Sequence, residues 1–76
     1  MPHINIKCYP KHLTAGEMKD FVQDLTQLVG KHLKSTEDSI SISYNEIPAE
    51  KWKEEVFDKE IRPYVGKLAK DPNYDM

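Results

Sequence analysis

Pro2, directly behind the start methionine, is the residue whose type and position could do the most chemistry. A start methionine followed by a small residue is normally removed after synthesis, and Pro2 would then become the amino terminus. Its nitrogen would change from an amide into a secondary amine. An α-amino group titrates at about 7.7–8 in a reference peptide, and a proline amine is somewhat more basic. In a partly desolvated pocket near cations that value falls, because burial and like charge both disfavour the protonated form. A base poised near the working pH is what general acid–base catalysis requires. The competing account is structural: proline is tolerated as the first residue of an edge strand, where no ladder hydrogen bond is lost.

The other reactive residue types form no such arrangement. His3, His12, His32 and Cys8 contain no CxxC or HExxH pair, so no metal site is expected. Cys8 shares the apolar side of its segment with Ile4 and Ile6 and is expected to act as a small buried hydrophobe. Gly16 and Gly30 belong to no phosphate-binding turn, and no cofactor is implied. The serines of Ser39–Tyr44 (SISISY) fit one polar face of a strand, with no histidine or aspartate placed to activate them. The charges of Lys51–Glu55 fit a solvated helix face.

Composition limits what these residues can be set upon. The chain of 76 residues is expected to form a single domain over 1–76, with a thin core. A single cysteine excludes an intramolecular disulfide, which leaves oligomerisation as the expected source of extra stability. A net charge of -2 with both signs mixed gives no electrostatic footprint for nucleic acid. No apolar run approaches the roughly 20 residues of a membrane span, and no signal peptide opens the chain. A cytoplasmic protein is the expectation.

Three segments must position Pro2. His3–Tyr9 alternates polar and apolar residues as a half-buried strand does, and Pro10 closes it. Thr14-Ala-Gly-Glu17 predicts a capping box. Behind it Met18, Phe21, Val22, Leu25, Leu28, Val29 and Leu33 form one apolar stripe of a helix about five turns long. Ser39–Tyr44 predicts a second strand, with Ile40, Ile42 and Tyr44 on one face and Ser41 and Ser43 on the other. The separation of the strands by a helix fits a βαβ crossover, so parallel pairing is expected. Past Pro48, Trp52, Val56, Ile61, Val65 and Leu68 predict helices near Ala49–Phe57 and over Asp58–Lys70, the latter kinked or split at Pro63. Asp71–Met76 is expected to be a turn and an extended end.

The opening MPHINIKCYP, the capped helix, SISISYNEIP, Trp52 and the Pro72-Asn-Tyr-Asp-Met76 tail, in that order, resemble the 4-oxalocrotonate tautomerase family, and within it the phenylpyruvate-type PptA branch. The resemblance covers essentially the whole chain. It implies an α/β (α+β) fold: a β-α-β subunit with C-terminal helical segments, whose sheet is extended across subunits. It implies Pro2 as catalytic base and Trp52 as an aromatic wall, with a site commonly shared between subunits. Where members of the family hold a dicarboxylate with two arginines, this chain has Lys11 or His12 at the first position and Ser41 at the second. Serine cannot replace a bidentate arginine. The implied substrate is a small 2-oxo or enol acid with at most one carboxylate and an apolar or aromatic body. Lys11 would anchor the carboxylate, Ser41 would donate a hydrogen bond, and Trp52 would pack on the body. A homodimer is expected, with a hexamer as the alternative assembly. Two other functions fit the same resemblance: a non-catalytic dimeric binding module, and an enzyme that hydrates or dehalogenates an unsaturated acid.

Overall fold

The computed structural model describes residues 1–76. Two strands, β1 (His3–Cys8) and β2 (Ser41–Glu46), pair in parallel with His3 opposite Ser41 and Cys8 opposite Glu46. Between them runs one helix, α1 (Ala15–Leu33). This is the β-α-β arrangement expected from the strand–helix–strand spacing. The register aligns Ile4 with Ile42 and Ile6 with Tyr44, so both apolar sets share one sheet face. The helix covers that face: the Phe21 ring meets the Tyr44 ring edge-on, 6.3 Å between centroids.

α1 starts where the capping box requires. Thr14 Oγ1 accepts the Glu17 amide at 3.1 Å, and Glu17 Oε1 accepts the Thr14 amide at 3.0 Å. At the other end Lys34 adopts a left-handed conformation, φ 52°, and its amide returns to the Gly30 carbonyl. Gly30 itself sits against the following turn, where an added Cβ would lie 3.1 Å from the Ser35 carbonyl oxygen. No helix is long and apolar enough to cross a membrane.

Several boundaries differ from expectation, the first strand ending at Cys8 and not at Tyr9. The second strand begins at Ser41, not Ser39, because Glu37–Ser39 forms a 3-10 turn that the Ile40 amide closes onto the Glu37 carbonyl. It then runs two residues past Tyr44 to Glu46. The C-terminal region holds no separate helix beginning at Asp58 and reaching Lys70. After a 3-10 turn at Ala49–Lys51, a π-helix spans Lys53–Ile61 without a break at Asp58, and one further 3-10 turn ends at Tyr64. Pro63 has no amide to continue the ladder, and Gly66, φ 85°, turns the chain back. In the π-helix Val56 and Ile61 are five residues apart, the spacing of its hydrogen bonds, and Lys53 reaches Asp58 by the same step at 2.9 Å.

The core is thin. Only Val56 and Phe57, 5% and 2% exposed, are fully buried. Along α1, Met18, Val22, Leu25 and Val29 are half-buried while Phe21, Leu28 and Leu33 remain exposed. Phe57→Ala is therefore expected to cost about 3–5 kcal/mol in urea unfolding, against about 1 kcal/mol for Thr14→Ala. Equal effects of the two substitutions would contradict this placement of the core.

Candidate active site

The parallel register sorts the four candidate residues into two pairs at opposite ends of the strands. At the starting end, the Ser41 amide donates to the Pro2 carbonyl at 3.1 Å, which ties Pro2 to the head of β2. His3 Nδ1 and Ser41 Oγ lie 2.7 Å apart. A polar ladder continues along that face: Ser43 Oγ donates to Asn5 Oδ1 at 2.7 Å, and Asn45 Nδ2 donates to the same oxygen at 3.3 Å. Pro2 is half-buried, whereas Met1 is fully exposed.

At the finishing end lie Lys11, His12 and Trp52. The loop leaving β1 is held by one carboxylate: Glu46 Oε2 accepts the Lys11 amide at 3.1 Å and the Tyr44 hydroxyl at 2.9 Å. His12 follows with a left-handed backbone, φ 56°, and the chain then enters the Thr14 cap. Trp52 packs edge-on against Tyr9, 5.2 Å between centroids, and its indole N–H donates to the Tyr74 hydroxyl at 3.0 Å. A cavity of about 370 Å³ lies here, lined by Lys7, Cys8, Tyr9, Trp52, Tyr74 and Met76. Lys7 is ion-paired with Glu60 of the π-helix. A larger groove of about 560 Å³ runs along α1 and contains none of the candidate residues.

Six strand residues at about 3.3 Å each place these ends roughly 20 Å apart. Within one chain, then, Pro2 meets Ser41, and Lys11 and Trp52 gather at the far end. The structure does not bring the two pairs together. Nor do three His, Cys, Asp or Glu side chains converge as a metal site would require.

Sequence reasoning missed Glu46, Tyr74 and Met76. Glu46 was visible in principle, since it continues the Ile42–Tyr44 side of the strand by one more period of two. Tyr74 and Met76 lie in a segment without periodicity, where only the folded chain reveals contacts. The electrostatics at Glu46 follow from its partners. The Lys11 amide first, then the Tyr44 hydroxyl, hold its carboxyl below the usual range, against an opposing effect of desolvation. The Tyr44 phenol is pushed well above its ordinary value by the Cys8 sulfur, by desolvation and by Glu46. Tyr44 is thus a hydrogen-bond donor at neutral pH, not a base.

The family model described as "Tautomerase enzyme" matches residues 2–56. The chain belongs to the tautomerase family. It is similar over 97% of both chains to proteins named Tautomerase PptA from Pectobacterium atrosepticum and Pectobacterium carotovorum, with identities of 45% and 43%. A Tautomerase PptA from Cronobacter sakazakii is 42% identical over the full length of both chains. This tautomerase is accordingly an isomerase acting on a small molecule, and its matched segment begins at Pro2.

The bond from Glu46 to the Lys11 loop has a pH signature. Because the folded carboxyl titrates low, its contribution is fully present above the unfolded carboxylate value of about 4.3 and is lost as pH falls through the folded value. Protection of the Lys11 amide from hydrogen exchange is expected to drop in Glu46→Ala at neutral pH, and in the unsubstituted tautomerase only in acid. Unchanged protection in the variant would show that the carboxylate does not hold the loop.

Proposed function

We propose that this tautomerase interconverts the enol and keto forms of a 2-oxo acid of phenylpyruvate type, with Pro2 as the general base once Met1 has been removed. The observation that carries the proposal is the setting of Pro2. Its carbonyl is fixed by the Ser41 amide while Met1 projects fully into solvent. Removal of Met1 would leave a secondary amine whose position is set by the sheet. The neutral amine takes the proton from the enol hydroxyl as the C=O bond forms. The resulting ammonium returns a proton to the carbon at the other end of the double bond, and the base is regenerated.

The rest of the site would come from a second copy. Lys11 and Trp52 lie roughly 20 Å from their own Pro2 by the rise of the strand, so they serve the proline of a neighbouring chain. Lys11 holds the substrate carboxylate and keeps the amine neutral through like charge. Trp52 packs on the aromatic body, and Ser41 offers a hydrogen bond where a second arginine would have held a second carboxylate. Thin burial, open sheet edges and exposed Phe21, Leu28 and Leu33 support assembly as a homodimer with the sheet extended across subunits. The alternative assembly is a hexamer.

Loss of the phenylpyruvate enol, followed by ultraviolet absorbance, tests the proposal. Pro2→Ala is expected to lower kcat/KM by about 10²-fold or more. An unchanged rate would refute the proline base, and halide release from a 3-haloacrylate without enol turnover would favour dehalogenation.

A further inference from the structure

The family match ends at residue 56, yet part of the wall around Trp52 comes from the last five residues of the chain. Those residues are not a free end. The Gly66 turn reverses the chain, its amide donating to both carboxylate oxygens of Asp71 at 3.1 Å. Beyond it the Tyr74 hydroxyl accepts the Trp52 indole N–H, and the Tyr74 ring packs on Phe57 with 5.7 Å between centroids. Arg62 Nη2 donates to the Met76 carbonyl at 2.5 Å. Arg62 is itself seated over the Phe57 ring, 5.1 Å from its centroid, and paired with Asp58 at 3.4 Å. Since Phe57 is the most deeply buried residue of the chain, the tail is anchored directly to the core.

The open cleft so lined has a definite chemistry. Tyr9, Trp52 and Tyr74 present aromatic rings, and Cys8 and Met76 present sulfur. The indole N–H is already satisfied by Tyr74, so this donor asks nothing of a guest. Lys7, held by Glu60, is the only charged lining residue. A flat apolar ring suits these walls, and a carboxylate it carries would lie outside them, since Lys7 is already paired with Glu60. At about 370 Å³ the cavity lies at the small end of the range for ligand pockets, where loss of one wall matters most.

We propose that the C-terminal tail determines substrate specificity: Tyr74 and Met76 form the wall against which the aromatic body of a monocarboxylate packs opposite Trp52. The inference rests on the phenylpyruvate-type reading of the site, and it adds that selection of the aromatic substrate lies outside the segment that carries the family match. Chains ending before the tail would still hold Pro2, Ser41, Lys11 and Trp52, but would discriminate poorly between aromatic and small aliphatic 2-oxo acids.

Trp52 is the only tryptophan, so its fluorescence reports the pocket without any turnover. Phenylacetate, which cannot enolise as a 2-oxo acid does, is the probe. It is titrated into the full chain, a form ending at Asp71, and full-length Tyr74→Ala, which guards against misfolding of the shortened chain. Phenylacetate is expected to bind both altered forms about tenfold more weakly than the full chain. KM for the phenylpyruvate enol is expected to rise about as much, with KM for the enol of 2-oxobutanoate changed less than about twofold. Tyr74→Phe keeps the ring and should keep the selectivity while shifting Trp52 emission. Equal phenylacetate affinity and equal discrimination in all forms would overturn the proposal. Tail-dependent phenylacetate binding by a chain that turns over no enol would uphold the wall and refute the catalytic reading instead.

Discussion

The parallel pairing that sets His3 opposite Ser41 and Cys8 opposite Glu46 is the constraint on which the rest of the molecule depends. It places Ile4, Ile6, Ile42 and Tyr44 on one face, where Phe21 of α1 meets Tyr44, and Asn5, Ser41 and Ser43 on the other. It also fixes polarity: both strands start at the Pro2 end and finish at the Lys11 end. A parallel pair cannot bring the head of a strand near its own exit loop. The separation of the proposed base from the proposed carboxylate and ring contacts is therefore a consequence of topology, not of side-chain placement.

That separation gives the thin core a functional meaning. A chain with two fully buried residues gains little from closing on itself, and it leaves Phe21, Leu28 and Leu33 exposed. The same assembly that would cover such surface would also carry one chain's proline to another chain's Trp52. Stability and catalysis would then have a common requirement. The C-terminal segment takes up the remaining duty at the finishing end, where Phe57 anchors both Arg62 and Tyr74, and through them the wall of the cavity.

What the sequence revealed and what it concealed divide along physical lines. The Thr14–Glu17 box and the stripe from Met18 to Leu33 are local, periodic signals, and α1 appears where they place it. The parallel strand pair followed from the length of the crossover. The start of β2 was misplaced because alternation in SISISY continues through Ser39 and Ile40, which a 3-10 turn uses before pairing begins. The π-helix is not legible from α-helical spacing, because its five-residue step from Val56 to Ile61 belongs to a different hydrogen-bond period. Pro2, Ser41, Lys11 and Trp52 were recognisable by residue type and family resemblance, but their division between two ends became visible only with the strand register. Glu46 and Tyr74 act through contacts across 35 and 22 residues of sequence, and strand alternation places Glu46 on a face without showing what it holds.

The most direct test of the account is subunit complementation. Pro2→Ala and Trp52→Ala chains, each strongly impaired alone, are unfolded together and refolded as a mixture. If one chain's Pro2 works with another chain's Trp52, half of the dimers are hybrids with one intact site in two. The mixture should recover about a quarter of the unsubstituted activity. No recovery, from chains shown to exchange and refold, would contradict a site built from two copies.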